Sequence, residues 1–221
     1  SVTPFGFTTN LTGGHTARTM MLNEITILCK TLPLDATVEK YKSAVIEDNI
    51  LGKPTFSSRQ ESFKQLIRLY TLNYSFALFR VFRKFAETDP SSLPLLALVC
   101  TFCRDPQLRY SFGLIDSLHV GEVLVRERMV AYLEAGFPGR YSIIMKNSLA
   151  KNVNATWTYA GHLKGKVIKK RTFPNEQFAA SIYAMLSGYL LGLRGEALVK
   201  SIFSRLVSQD HSTILSHLSA A

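Results

Sequence analysis

Residues 140–171 read RYSIIMKNSLAKNVNATWTYAGHLKGKVIKKR, and the periodicity of this stretch changes partway along it. Apolar residues recur at Tyr141, Met145, Leu149, Val153 and Trp157, an i, i+4 series that puts them on one helical face. A narrow polar stripe of Asn147, Lys151, Asn154 and Thr158 lies on the other side, bordered by Ile143 and Ile144. Lys146 projects near the edge of the apolar face, and Trp157 and Tyr159 read as core packing at the helix end. Around Gly161 the helical pattern stops. Gly161 and Gly165 mark a turn, and Lys166 to Arg171 follows as a short strand, so a small β element is expected near 160–172. Upstream, Gly121 to Ala135 reads as a helix and Gly136-Phe-Pro-Gly139 as a tight turn.

Two helices joined by a tight turn and followed by a basic hairpin resemble the supporting helix, recognition helix and wing of a winged helix-turn-helix module. The remainder is also helical. Segments are expected from Ala17 to Leu32, from a cap at Asp35 or Thr37 to about Asp48, from a capping box at Ser58-Arg-Gln-Glu61, and from Tyr74 to Glu87. Leu93 to Cys103 follows. Asp105-Pro106 reads as an N-cap with proline at the first helical position, and later helices span Pro174 to Leu193 and Gly195 to Ser208. The expectation is a mainly all-α chain of about nine or ten helices, a multi-helix bundle in two subdomains with a small winged-helix-like β element. Thr88-Asp-Pro-Ser-Ser92 is the expected boundary, giving a 1–90 N-terminal subdomain and a 91–221 C-terminal one that contains the basic 121–172 segment.

The chain has 26 Lys+Arg against 16 Asp+Glu, a formal net charge of +10. That charge is local. Residues 135–175 contain no Asp or Glu and eight basic residues, hence +8. Residues 1–134 carry 15 basic and 13 acidic residues, and 176–221 carry three of each. Within the first part, 49–86 holds seven basic residues against Glu61 alone, masked by an acidic remainder. A solvated helix face normally mixes signs, because like charges repel and opposite pairs stabilise. The acid-free segment is therefore expected to be an anion-binding surface. Asn147, Lys151 and Asn154 are its base-facing candidates, and Arg140, Lys146, Lys164, Lys166, Lys169, Lys170 and Arg171 its phosphate candidates. Arg59, Lys64, Arg68, Arg80, Arg83 and Lys84 form a candidate second basic patch. Amide and ammonium groups suit phosphates and base edges, whereas a membrane-surface helix sets Trp, Phe or Leu beside its basic residues over one broad face. Double-stranded DNA is the expected partner. Docking of an acidic protein, and RNA binding, stay open as alternatives.

Hydrophobic residues make up 47% of the chain, which excludes a disordered basic tail. Three cysteines, Cys29, Cys100 and Cys103, cannot form a disulfide framework and point to the cytoplasm. The N-terminus has no basic region followed by an apolar run, so no secretory signal is read. Leu93 to Cys103 and Gln177 to Leu193 are too short or too polar for membrane spans and read as buried helices. Cys100-Thr-Phe-Cys103 lacks partner ligands and reads as core. Five histidines are scattered, and the acids are too dispersed for two-metal chemistry. Gly13-Gly-His-Thr16 lacks the P-loop lysine and reads as a flexible N-terminal arm. Gly188 and Gly192 read as a close helix-packing pair. No enzyme activity, cofactor or metal is expected.

Three segments together resemble the BrxA family, a small component of BREX (bacteriophage exclusion) defence systems. They are Val45-Ile-Glu-Asp-Asn-Ile-Leu51 with Thr55, Ser57, Ser58 and Arg59; Leu95 to Asp105, an apolar helix closing on a basic residue; and Arg140 to Leu163, a basic helix running into Ala160-Gly-His-Leu163. The likeness spans roughly residues 40–165 and is one of order and spacing. Trp157 to Gly165 is more elaborate than the family pattern. The resemblance implies an all-helical, non-enzymatic, DNA-binding accessory protein of a multi-subunit antiphage system.

Overall fold

In the computed structural model, which describes residues 3–8 and 13–220, several helices begin where a side chain accepts a free backbone N–H. A 3₁₀ turn at Gly14–Thr16 precedes α1 (Leu22–Thr31), and Thr37 caps α2 (Val38–Ile46). The helix α3 (Phe56–Tyr70) opens at Thr55, whose hydroxyl accepts from Ser58 N while Ser58 Oγ accepts from Thr55 N. Its capping box thus lies one turn ahead of the expected one. Next come α4 (Ala77–Thr88), a 3₁₀ turn at Pro90–Ser92 and α5 (Leu93–Arg104). Asp105 accepts from Gln107 N and Leu108 N, each at 3.0 Å, and Pro106 fills the first position of α6 (Pro106–Ser117), as expected.

After α6 the chain forms β1 (Val123–Leu124), α7 (Arg126–Gly136), α8 (Ile143–Tyr159), β2 (Leu163–Lys164) and β3 (Lys169–Arg171). It ends in α9 (Phe178–Leu190), α10 (Gly195–Val199), α11 (Ile202–Val207) and α12 (His211–Ser219). The single helix expected over Gly195 to Ser208 is divided, because Ser201 accepts from Ser204 N and starts a new one. Twelve α-helices are present among the described residues. The fold is mainly α, with one small sheet.

That sheet is three-stranded and antiparallel in the order β1-β3-β2. Val123 pairs with Lys170 and Leu124 with Lys169; Leu163 pairs with Arg171 and Lys164 with Lys170. β1 lies inside the stretch expected to be helical from Gly121. Gly121 takes a positive φ of 89°, and Gly121 N donates to Arg171 O while Arg171 N donates to Glu122 O, both at 2.8 Å. The β-branched Val123 and Val125 suit the extended chain, and pairing with β3 fixes it. The succession α6–β1–α7–α8–β2–β3, with β3 central, is the connectivity of a winged helix-turn-helix.

The helix α5 is buried all round except at Pro94, as its uninterrupted apolar sequence requires. It packs against α3 and α4 from one half of the chain and α6 and α9 from the other. The buried apolar side chains form one continuous cluster from Phe7 to Ile214. The expected boundary at residue 90 therefore does not separate two cores; it falls on a tight 3₁₀ connection into the central helix. Cys100 and Cys103 lie within α5 and are buried, and burial pushes the Cys100 thiol up to about 11 and Cys103 higher still. None of the described helices is long and apolar enough to cross a membrane.

Candidate nucleic-acid interface

One carboxylate fixes the turn between α7 and α8. Glu134 accepts from Gly139 N at 3.0 Å through Oε1, and its Oε2 lies 2.7 Å from Lys146 Nζ. Ser142 caps α8 by accepting from Met145 N. Leu149, Val153 and Trp157 are buried as their spacing predicts, whereas Met145 is exposed. Trp157 stacks on Phe112 and donates to Ser111 Oγ at 2.8 Å, so it belongs to the core.

A second element lies across α8. The 3₁₀ turn at 14–16 packs on it, with Asn152 Nδ2 donating to His15 O at 2.9 Å. His15 Nδ1 is 2.9 Å from Asp105 Oδ2, and His15 Nε2 is 2.8 Å from Thr156 Oγ1. This Asp–His–Thr array has the connectivity of a hydrolase relay. All three residues are wholly buried, and Thr156 Oγ1 also accepts from Met20 N. The array ties the N-terminal segment to α6 and α8. Gly13 N donates to Gln107 Oε1 and His15 N to Asp105 Oδ2, so the expected flexible arm is instead a strap. A Cβ at Gly13 would sit 2.0 Å from Asp105 Oδ2, which restricts the position to glycine.

The structure brings six of the ten predicted contact residues to the surface of the α7–α8–hairpin unit: Arg140, Asn147, Lys151, Lys164, Lys166 and Lys170. Arg140 lies over the Tyr141 ring. Asn147 donates one N–H to Ile143 O. Lys146 is half-buried and paired with Glu134, the acid just ahead of the acid-free segment. Lys169 folds back to donate to Gly165 O at 2.6 Å, and burial lowers its pKa.

Two predicted contacts are corrected. Asn154 is only 5% exposed, because α8 packs against α7, the 14–16 turn and β2 and so buries more than one face. Arg171 is only 3% exposed and anchors the hairpin: it donates to His162 Nδ1, His162 O and Thr172 O. His162 in turn donates from Nε2 to Leu206 O at 2.9 Å, joining the hairpin root to α11. Burial, and then the Arg171 charge, push the His162 pKa down to about 3.

The outer face of the sheet carries Val123, Lys170 and Lys164 side by side, all exposed. Lys164 and Lys170 are direct cross-strand partners, an arrangement that like charges disfavour. No ion pair among the described residues engages Lys151, Lys164, Lys166 or Lys170. Ile143 and Ile144 are both strongly exposed on the first turn of α8. The sequence pattern marks them only as a border of the polar stripe. Their place at the leading end of a capped helix is legible only once the helix start at Ser142 is known.

The second basic patch does not assemble as expected. Arg83 is only 2% exposed, with Nη2 donating to Leu32 O and Pro33 O beyond the end of α1. Arg59 donates to Ile46 O at the end of α2, and Arg80 to Tyr74 O and Ser75 O. Only Lys64 and Lys84 of that set are exposed, and Lys64 lies 3.9 Å from Glu61. These arginines satisfy main-chain carbonyls. A scan against protein-family models and a search of curated proteins found no match to the chain.

Proposed function

We propose that this chain is a non-enzymatic duplex-DNA-binding accessory protein that works in the cytoplasm with α8 in the major groove and the hairpin lysines on flanking phosphates. The observation that carries the reading is the Lys164–Lys170 pair, two exposed like charges held opposite each other, neither of them in an ion pair among the described residues. Such a pair is destabilising alone and favourable beside a polyanion. The exposed face of α8 offers Asn147, Lys151 and, at its leading turn, Ile143 and Ile144. Amides suit adenine edges and aliphatic groups suit the thymine methyl.

Salt titration of duplex binding tests this. Converting Lys164, Lys166 and Lys170 to Gln removes three phosphate contacts. The slope of log K against log salt should fall by about 2.7, and affinity at 0.1 M salt by roughly 500-fold. An unchanged slope refutes the assignment.

Docking of an acidic partner protein is the second reading, favoured by the exposed Ile143 and Ile144. It predicts no mobility shift of duplex DNA at low salt together with stable co-purification of the partner. Competition between duplex DNA and structured RNA separates the RNA reading. Membership of the BrxA family, and with it a role in a BREX-type antiphage system, rests on the resemblance over residues 40–165. It predicts that the gene lies within a defence island.

A further inference from the structure

Val167 and Ile168 form the tip of the β2–β3 hairpin and are 92% and 63% exposed. Loop tips usually carry small or polar residues, so two β-branched aliphatics here call for a reason. The tip is a built feature. Gly165 takes φ +105°, and a Cβ there would lie 2.1 Å from Ile168 O, so only glycine lets the loop close. Lys169 Nζ donates to Gly165 O across the same loop. At the root, Leu163 and Arg171 are buried. Exposed Lys164, Lys166 and Lys170 flank the aliphatic pair along the hairpin.

We propose that the Val167–Ile168 tip enters the minor groove of duplex DNA as an apolar wedge, partly unstacking a base step and bending the duplex. The inference rests on the DNA-binding reading and goes beyond it, since lysines on phosphates need no bend. Leu163 to Val167 spans at most about 13 Å at strand rise, enough to cross the depth of a groove about 7.5 Å deep. Aliphatic wedges flanked by cations are the chemistry by which minor-groove proteins kink DNA. An anionic membrane surface also accepts lysines around aliphatics. The duplex is favoured because the hairpin belongs to the same module as the polar face of α8.

The test uses the full chain and a duplex of about 30 base pairs with a central flexible TA step and a fluorophore at each end. Wild-type protein should bring the ends together. The Val167→Ser/Ile168→Ser double variant should melt at the wild-type temperature and keep the salt slope. It should bind roughly ten- to a hundredfold more weakly, through lost apolar burial, and leave the duplex straight. Lys166→Gln/Lys170→Gln should do the reverse, lowering the slope by about 1.8 while keeping the bend at saturating protein. Binding without bending, or a serine variant that keeps bend and affinity, overturns this inference alone. So does a serine variant that loses only its binding to phosphatidylserine vesicles. Absence of duplex binding by the wild-type protein overturns the functional reading along with it.

Discussion

Acidification should loosen the hairpin root through one residue. His162 is wholly buried, its Nδ1 accepts from Arg171, and its Nε2–H is committed to Leu206 O. A second proton has no place there, and the pKa falls from 6.5 to about 3. In the unfolded chain the same imidazole titrates near 6.5, so between pH 6.5 and 3 the unfolded state binds one more proton than the folded state. Stability rises with pH wherever that holds, and acidification through this window therefore lowers it. The limiting slope is about 1.36 kcal/mol per pH unit, and because the unfolded imidazole is half protonated at about pH 6.5, the loss comes to about 2.7 kcal/mol between about pH 7.5 and 4.5. That interval lies above the titration of Asp105, whose carboxyl burial would raise but which the neighbouring His15 and donated hydrogen bonds hold below its ordinary value of 3.8. Urea unfolding of the wild type and of His162→Gln, at a series of pH values, isolates the effect. Glutamine keeps one acceptor for Arg171 and one donor for Leu206 O but does not titrate. The variant should lack the 2.7 kcal/mol loss. Parallel curves for the two proteins would show that the imidazole takes up its proton in the native state, and would refute the reasoning.

The remaining predictions concern positions where the geometry leaves little choice. Gly165→Ala should open the hairpin loop, lowering stability by about 1–2 kcal/mol because a positive φ and a clash with Ile168 O combine; hydrogen exchange at Lys169 and Lys170 should accelerate, and unchanged exchange contradicts it. Asp105→Asn should cost about 3 kcal/mol in chemical denaturation, since all four bonds to this buried carboxylate come from donors and an amide NH₂ would face some of them; a loss under 1 kcal/mol contradicts the network. Arg83→Ala should cost about 3 kcal/mol through a cavity and orphaned carbonyls, yet leave the salt slope of DNA binding unchanged; a lower slope would return Arg83 to the interface.

What the sequence made legible follows from what is local. The Asp105-Pro106 cap, the all-round apolarity of α5 and the Leu149–Val153–Trp157 face need only neighbouring residues to be read, and each is present. β1 was missed because a two-residue strand exists only through its pairing with β3, some 45 residues away. Asn154 was misplaced because helical periodicity assumes one buried face, and the strap from 14–16 was invisible to it. The charge map misplaced individual arginines for a more instructive reason. An acid-free run reads as an exposed surface if carboxylates are the only groups that can hold a cation inside. Here main-chain carbonyls do so. Arg59, Arg83, Arg104 and Arg109 donate to carbonyls in or just beyond the last turns of α2, α1, α3 and α5, where helix ends leave acceptors unsatisfied and the dipole is negative. The planar five-donor guanidinium can bridge several such oxygens, as Arg171 does at the hairpin root; the compact, strongly hydrated ammonium of lysine does this poorly. Within residues 135–175 Arg171 is inside, while Arg140, Lys151, Lys164, Lys166 and Lys170 are exposed and Lys146 and Lys169 are half-buried. An arginine in an acid-free segment therefore counts toward a surface only after the main-chain carbonyls it holds have been subtracted.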